Sequence, residues 1–307
     1  MELCTIIIPC YNEQEMIPIF YEEMTSVINI MQNLDFQFLF IDDGSQDKTL
    51  IKIKELKKKD IRVHYISFSR NFGKEAALLA GLERAIGDYI VTIDADLQDP
   101  PSLLPQMYQE IKEGYDCVAA YRKNRKGEPL LRSVFSKLFY KIINKISKTN
   151  IVDNARDYRF MTRKMVDAVI SVHEYNRFSK GIFSWVGFQT KWISFENIKR
   201  VEGKTKWSFW KLFLYSIEGI VAFSTVPLAL VSFLGILFCF LSLLGMIFIF
   251  IRAVIWGDSV AGWPSMICVI TMLGGIQLLC LGIIGYYLSK TYSEVKHRPL
   301  YVEKESG

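Results

Sequence analysis

Two long stretches without a formally charged residue constrain the fold of this chain most strongly. No Asp, Glu, Lys or Arg occurs from Gly219 to Ile251 or from Ser259 to Ser289. Each stretch is longer than the roughly 20 apolar residues that an α-helix needs to cross a bilayer. The sequence therefore predicts two transmembrane helices, at about 226–251 and 264–288, which form a hairpin at 223–290.

The charges beside this hairpin predict its orientation. Five Lys and Arg residues lie between Lys199 and Lys211, and basic residues including Lys290 and Arg298 follow the second stretch, whereas the connecting loop holds a single Arg. Loops rich in Lys and Arg stay on the cytoplasmic side of a membrane. We therefore expect a multi-pass protein of the inner (plasma) membrane with both termini in the cytoplasm, including a cytoplasmic tail at 291–307.

The first part of the chain repeats a strand, a polar loop and a helix. Apolar runs at Leu3–Pro9, Phe36–Ile41 and Arg62–Ser67 are each followed by such a loop and a helical pattern, and Tyr89–Ile93 is a fourth buried strand. This alternation predicts an α/β domain over 1–198 with a Rossmann-like, doubly wound and mostly parallel sheet. Neither G-x-G-x-x-G nor G-x-x-x-x-G-K-[ST] occurs, so dinucleotide-binding and P-loop functions lack their main support.

Polar side chains follow the ends of these strands. Asn12 and Glu13 follow the first strand, Asp43 follows the second, and Asp94 and Asp96 follow the fourth. Open α/β sheets bind ligands at the carboxyl ends of their strands, so we expect these side chains at one site. An extended strand end would point both acids of the last pair to one side. Such oxygen ligands suit Mg²⁺ or Mn²⁺ carrying a diphosphate, and a solvated acidic turn is the alternative.

Four sequence blocks resemble a known family. They are Pro9–Glu13, Ile41–Ser45, Arg70–Lys74 and Asp94–Asp99. Together they resemble the signature blocks of inverting glycosyltransferases of the GT-A fold, and within these the polyprenyl-phosphate branch of bactoprenol glucosyltransferases and dolichol-phosphate mannose synthases. The resemblance extends over essentially the whole chain. It implies a membrane-anchored enzyme that transfers a hexose from UDP-glucose or UDP-N-acetylglucosamine to undecaprenyl phosphate, with inversion, for cell-envelope glycosylation.

The resemblance also implies roles for individual residues at the donor site. Asp96, with Gln98 as a helper, would ligate Mg²⁺ or Mn²⁺ on the diphosphate. Asp42 either contacts the ligand or only caps its turn. The residues predicted to bind the nucleotide sugar are Pro9, Tyr11, Asn12, Glu13, Asp43, Lys74, Asp94 and Arg200.

Asp157 and Asp94 are the predicted catalytic residues. Asp157 matches the position of the family's catalytic acid, although Arg156 precedes it where family members usually have a small residue, often Gly. A phosphate monoester has a second pKa of about 6, so the acceptor is already largely ionised near neutral pH. We therefore expect Asp157 to orient groups or to stabilise charge rather than to accept a proton.

Two arginines are predicted to meet the phosphate of the lipid acceptor. Arg122 directly follows a predicted strand, where the family pattern places such a residue, and Arg132 could play the same part. A guanidinium group offers paired donors that match phosphate oxygens.

Two further segments are predicted to lie at the membrane interface. Residues 132–147 carry apolar side chains at helical spacing with Lys on the flank, which is typical of an amphipathic helix on a bilayer. Packing of this helix on the catalytic domain is the alternative. Segment 199–222 mixes Lys with Trp and Phe, as headgroup regions do.

The remaining features bear on partners and on rival functions. The net charge of +5 is modest and no nucleic-acid-binding motif occurs, so no nucleic-acid partner is expected. Glycines at 274, 275, 282 and 285 could support a homo-oligomer or packing within the hairpin. The rival functions are a glycosyltransferase acting on a hydroxyl of a glycolipid or polysaccharide, and a non-catalytic membrane subunit that binds nucleotide sugars.

Overall fold

The chain divides into two compact units. The structure, a computed structural model, describes residues 1–123, 155–196, 224–256 and 262–307, with Asn144, Val152 and Val221 as isolated positions. The first unit comprises Met1–Ala222 together with Arg298–Gly307, and the second comprises Phe223–His297. The predicted interfacial segments 132–147 and 199–222 lie outside the described residues, apart from Asn144 and Val221.

The first unit is built on one mixed sheet. Its described strands are β1 (Glu2–Cys10), β2 (Leu34–Asp42), β3 (Val63–Phe68), β4 (Tyr89–Thr92), β5 (Cys117–Arg122), β6 (Ala155–Thr162), β7 (Thr190–Phe195) and β8 (Glu303–Ser306). They follow the spatial order β7-β5-β6-β4-β1-β2-β3-β8. Strands β1 to β4 pair in parallel, as the repeated strand-loop-helix pattern predicts.

Helices cover both faces of this sheet. They are α1 (Met16–Ile28), α2 (Thr49–Lys59), α3 (Lys74–Arg84), a 3₁₀ turn (Pro101–Leu103), α4 (Leu104–Lys112), α5 (Arg163–Ile170) and α6 (Ser179–Trp185). Ile6, Ile7 and Ile8 of β1 are all fully buried, because a parallel strand covered on both faces has no wet side. On one face α3 lies so close that a Cβ on Gly81 would be 2.2 Å from a methyl carbon of Ile7.

The predicted α/β fold class is confirmed, and both sides of the sheet add pairings that the sequence pattern did not indicate. Strand β6 runs antiparallel to both β4 and β5, and β8 runs antiparallel to β3. The resulting mixed sheet with its covering helices is the Rossmann-like arrangement of the GT-A fold.

The second unit contains two long apolar helices, α7 (Val226–Trp256) and α8 (Trp263–Val295). The stretches Val226–Gly245 and Met272–Val295 have mean hydropathies of 2.5 and 1.6 and are long and apolar enough to cross a membrane. The Tyr287 hydroxyl donates a hydrogen bond to the carbonyl oxygen of Ser224 at 2.7 Å.

Candidate active site at the carboxyl ends of the strands

The loop after β2 is built around Asp42. Its side chain is 1% exposed, and it accepts hydrogen bonds from the backbone N–H of Ser45 (3.1 Å) and the hydroxyl of Ser67 (2.7 Å). Gly44 follows with φ +65°, and a Cβ there would lie 2.3 Å from the carbonyl carbon of Arg70. Asp42 thus stabilises the turn. This is one of the two roles that the sequence leaves open for Asp42, the other being contact with the ligand.

Asp43 points to a different loop. The residue is 4% exposed, and its carboxylate accepts hydrogen bonds from the backbone N–H groups of Phe72 (2.6 Å) and Gly73 (3.0 Å). Burial raises the pKa of Asp43 to about 6, although the two N–H groups oppose this rise. The loop before α3 is therefore tied to the end of β2 by a carboxylate that changes charge near neutral pH.

The loop after β1 is braced against the loop after β2. The backbone N–H of Asn12 donates to the hydroxyl of Ser45 (2.9 Å), and the backbone N–H of Gln46 donates to Asn12 Oδ1 (2.8 Å). Asn12 has φ +52°, a left-handed conformation that Asn adopts more readily than most residues. These contacts make Asn12 a loop-bracing residue in this structure, a role that the strand-end pattern did not reveal.

The other predicted donor residues of this loop lie at the same edge. Pro9 is paired with Ile41 near the end of β1, and Pro9, Tyr11 and Glu13 are all partly buried. The backbone N–H of Glu13 donates to the hydroxyl of Thr49 at 2.8 Å. The ends of β1 and β2 therefore form one connected wall.

Lys74 lies at the centre of the site. As the first residue of α3, it places its Nζ 2.7 Å from Asp94 Oδ1 and 2.5 Å from Asp157 Oδ2. Burial disfavours the charged lysine, but the carboxylates of Asp157 and Asp94 outweigh this and raise the pKa of Lys74. Burial alone would raise the pKa of Asp157, yet Lys74, Lys180 and Arg156 together lower it. The site thus holds a cation shared by the carboxylates of Asp94 and Asp157.

The register of β4 and β6 explains why Asp94 and Asp157 meet. These strands are antiparallel and Thr92 is paired with Arg159. Continued two residues past the end of β4, the same register puts residue 157 opposite residue 94. The Thr92 hydroxyl also donates to the carbonyl oxygen of Asp157 at 2.5 Å, which fixes the backbone at this point.

Arg156, which the sequence marks only as a departure from the family pattern, forms an ion pair. Its Nε lies 2.6 Å from Oδ1 of the fully buried Asp99, and its Nη2 lies 3.8 Å from Asp94 Oδ2. Among the described residues, Asp99 Oδ2 has no hydrogen-bond partner. Burial raises the pKa of Asp99, although Arg156 opposes this rise. Asp99 is the third acid of the block that begins at Asp94, and its partner could not be found from spacing because it lies on another strand.

The residues predicted to hold a metal lie in the turn after β4. That strand ends at Thr92 and residues 95–96 form a turn, so the strand does not extend to the two acids as expected. The backbone N–H of Gln98 donates to Asp96 Oδ1 (3.2 Å), and Arg122 Nη2 donates to Gln98 Oε1 (2.9 Å). The structure therefore connects the predicted metal residues to the predicted acceptor residue Arg122.

This turn fits a divalent cation that also binds a diphosphate. No group of three or more His, Cys, Asp and Glu that could hold a metal occurs in the part of the chain that the structure describes. Mg²⁺ in nucleotide sites needs only one or two carboxylates because phosphate and water oxygens complete its coordination. The turn supplies oxygen ligands of the type that Mg²⁺ prefers, from the carboxylates of Asp96 and Asp94 and the amide oxygen of Gln98. The predicted Arg132 and Arg200 lie outside the described residues.

The fold and the acids at its strand ends define a glycosyltransferase of the GT-A class. Residues 5–170 match the family model described as "Glycosyl transferase family 2", which covers more than half of the chain. The chain therefore belongs to glycosyl transferase family 2, and the resemblance and the enzyme class predicted from the sequence are confirmed.

Curated relatives match along almost the full length. The "Putative glycosyltransferase CsbB" of Bacillus subtilis is 44% identical over 305 residues, covering 99% of this chain and 92% of the relative. The "Prophage bactoprenol glucosyl transferase homolog" of Escherichia coli is 39% identical over 300 residues, covering 98% of each. One similar solved structure is glucosyl-3-phosphoglycerate synthase from Mycobacterium tuberculosis, in complex with Mn²⁺, UDP and glucosyl-3-phosphoglycerate. It is 16% identical in sequence, with a TM-score of 0.49, and the match covers 72% of this chain and 78% of that chain.

Proposed function

We propose that this enzyme transfers a hexose from UDP-glucose or UDP-N-acetylglucosamine to undecaprenyl phosphate, with inversion, at a membrane surface. The observation that carries the proposal is the position of Lys74, whose ammonium group bridges Asp94 and Asp157 at the edge of the sheet where strand-end loops converge. The relatives named bactoprenol glucosyl transferases support the choice of a polyprenyl-phosphate acceptor.

The loops after β1, β2 and β3 would bind the nucleotide. The buried carboxylate of Asp43 lies beside the Arg70–Lys74 block and accepts hydrogen bonds from the backbone N–H groups of Phe72 and Gly73. A carboxylate at this place can also accept hydrogen bonds from a base or a ribose. Pro9, Tyr11 and Glu13 would form the opposite wall, with Asn12 holding that wall in place.

Lys74, Asp94 and Asp157 would organise the reacting groups. Lys74 can stabilise the negative charge that develops on the diphosphate, because a cation held in place by two carboxylates needs little reorganisation as that charge grows. Asp157 has a lowered pKa and therefore stays ionised near neutral pH, which makes it a weak base. This direction supports a role in which Asp157 orients Lys74 while the acceptor phosphate, already largely ionised, attacks the sugar.

A divalent cation would be held by Asp96, with Gln98 as a helper and Asp94 close by. When bound, Mg²⁺ or Mn²⁺ compensates for the charge of the departing nucleoside diphosphate. Arg122 would then face the acceptor phosphate from beside Gln98, and Arg132 and Arg200 are proposed to assist at the acceptor and donor phosphates.

The apolar unit would anchor the enzyme in the bilayer as a two-helix hairpin. Residues before it and after it belong to one compact unit, and β8 after the hairpin pairs with β3 before it. If both helices cross a membrane, these two parts of the chain must lie on the same side. This pairing supports the placement of both termini on one side of the membrane. The flanking Lys and Arg residues favour the cytoplasm as that side, and the proposal includes a cytoplasmic domain at 1–198 and interfacial segments at 132–147 and 199–222. A homo-oligomer held by the glycines of the second helix is part of the same proposal.

A transfer assay on the full chain tests this function. The purified protein is incubated with undecaprenyl phosphate, Mg²⁺ or Mn²⁺ and a panel of labelled UDP-sugars and GDP-mannose, and the label is measured in a lipid extract. We expect one UDP-sugar to label the lipid, and we expect EDTA or Asp96→Ala to abolish this transfer. Donor binding without lipid labelling would contradict the proposed acceptor and would favour a hydroxyl acceptor instead.

A further inference from the structure

The last residues of the chain add a strand to the open edge of the catalytic sheet. Strand β8 pairs antiparallel with β3, the edge that the strand-loop-helix repeat alone would leave exposed. The backbone N–H of Ser69 donates to the carbonyl oxygen of Val302 at 2.9 Å. At the other end, Tyr65 and Gly307 exchange two backbone hydrogen bonds of 2.8 and 3.0 Å. The pairing therefore runs from the last residue of the chain to the first residue of the loop between β3 and α3.

Side chains hold this segment at several points. The ring of Tyr301 stacks on Phe68 with a centroid distance of 4.9 Å and an interplanar angle of 18°, and its hydroxyl donates to Glu83 at 2.6 Å. Two ion pairs, Arg84 with Glu303 (2.7 Å) and Lys54 with Glu305 (2.6 Å), connect the segment to α3 and α2.

The Tyr301 contact leads directly to the donor site. Phe68, on which Tyr301 stacks, meets Phe72 edge to face at a centroid distance of 5.8 Å. The backbone N–H of Phe72 is one of the two groups that hold the carboxylate of Asp43. A chain of packed aromatic rings therefore connects the C-terminal segment to the loop that directly precedes Lys74.

We propose that the segment Tyr301–Gly307 positions the loop 69–73, and that Tyr301 is a positioning residue for nucleotide-sugar binding. This inference rests on the proposed function in one respect, the assignment of Asp43 and Lys74 to the donor. An aromatic pair contributes beyond the area it buries, so losing the stack should free the Phe72 end of the loop. Because the segment follows both apolar helices, it can support this loop only after both helices have been made.

Protection of an open sheet edge is the plain structural role for such a strand. That role requires the backbone pairing but not the stacking of Tyr301 on Phe68. The two roles are therefore separated by changing the ring while β8 keeps its hydrogen bonds.

Hydrogen exchange on the full chain tests the inference without any substrate. Tyr301→Ala should raise the exchange rates of the Phe72 and Gly73 amides by about three- to tenfold, the factor that one lost aromatic contact implies. Tyr301→Phe keeps the ring and loses only the hydrogen bond to Glu83, so it should retain the slow exchange of the wild type. Glu305→Gln, which weakens the ion pair with Lys54 away from the loop, is the matched control and should also retain it.

Kinetics of the same variants test the consequence for binding. Tyr301→Ala should raise the KM for the nucleotide sugar by about the same factor, with kcat and the KM for the lipid nearly unchanged. If Tyr301→Ala does not accumulate, Tyr301→Leu removes the stack while keeping apolar cover and should give the same changes.

The outcomes separate this inference from the proposed function. Unchanged amide exchange in the variants without the ring would overturn the inference, as would a fall in kcat with an unchanged KM for the nucleotide sugar. A wild-type enzyme that transfers no sugar would refute the proposed function, while the exchange rates would still decide whether Tyr301 positions the loop.

Discussion

Replacing Asp43 by Asn should remove a pH dependence from donor binding. Asp43 is buried and its pKa is raised from 3.8 to about 6. Only the ionised carboxylate can accept hydrogen bonds with all of its lone pairs. Donor affinity should therefore fall as the pH drops through 6 in the wild type, because protonation turns one oxygen into a donor. Asp43→Asn has no such ionisation.

The size of this effect follows from the pKa. At pH 5 a group with a pKa of about 6 is ionised in roughly one molecule in eleven, and at pH 7.5 it is ionised almost fully. An affinity that requires the ionised form is reduced by that fraction, so the apparent Kd should rise about tenfold between pH 7.5 and pH 5.

The same shift predicts an opposite trend in stability. The folded state favours the protonated carboxyl, so the contribution to stability is present at low pH and is lost as the pH rises through 6. The change from pKa 3.8 to about 6 corresponds to about 3 kcal/mol in full, at 1.36 kcal/mol per unit. The Tm of Asp43→Asn should therefore rise relative to the Tm of the wild type as the pH rises from 5 to 8.

Calorimetric titration with an intact nucleotide sugar measures the affinity. The sugar esterifies the terminal phosphate, so the donor lacks the secondary phosphate ionisation near pH 6 that would confuse a titration with UDP. Equal pH profiles for the wild type and Asp43→Asn would refute the assignment of this pKa to donor binding.

Four other substitutions test separate parts of the site. Lys74→Met leaves Asp94 and Asp157 without their shared cation and should lower kcat/KM by about 10²–10³, as loss of a preorganised charge-stabilising group does; retention within fivefold would contradict a central role. Arg122→Ala should raise the KM for lipid about tenfold with little change for the nucleotide sugar, since a charged hydrogen bond is lost, and the neighbouring Lys123→Ala is the control. Asp157→Asn should keep most of the turnover that Asp157→Ala loses, because the acceptor needs no base, whereas equal and complete loss in both would show that a proton acceptor is required. Gly44→Ala should destabilise the protein by about 1–3 kcal/mol, because the φ of +65° at Gly44 and the Arg70 backbone, 2.3 Å from the position of a Cβ, exclude a side chain. Thermal unfolding measures this loss, and an unchanged Tm would argue against this tight turn.

Local periodicity predicted the first half of the sheet well. Buried apolar runs with loops and helices between them indicated β1 to β4, because a parallel strand must be apolar on both faces and needs a crossover. The observed strands differ from the predicted ranges by a few residues at their ends, for example Glu2–Cys10 rather than Leu3–Pro9.

Pairings between distant segments could not be predicted in this way. Three features of the structure join residues that are far apart in the sequence. They are the antiparallel register that sets Asp157 opposite Asp94, the ion pair of Arg156 with Asp99, and the addition of β8 to β3. Nothing in the local pattern of Glu303–Ser306, which alternates partly buried and exposed charged or polar side chains, indicates which edge it will join. The family resemblance supplied Asp157, but its contact with Lys74 emerged only from the fold.

Phosphorus NMR of the lipid acceptor distinguishes sugar transfer to its phosphate from transfer to a hydroxyl group. The full-length enzyme is incubated with undecaprenyl phosphate, Mg²⁺ and the UDP-sugar selected by the panel, and the acceptor phosphorus signal is followed together with released UDP. We expect the phosphomonoester signal to convert to a phosphodiester signal, with one UDP released for each lipid converted. Sugar transfer that leaves the acceptor as a monoester would contradict a phosphate acceptor, because the sugar would then have joined a hydroxyl group.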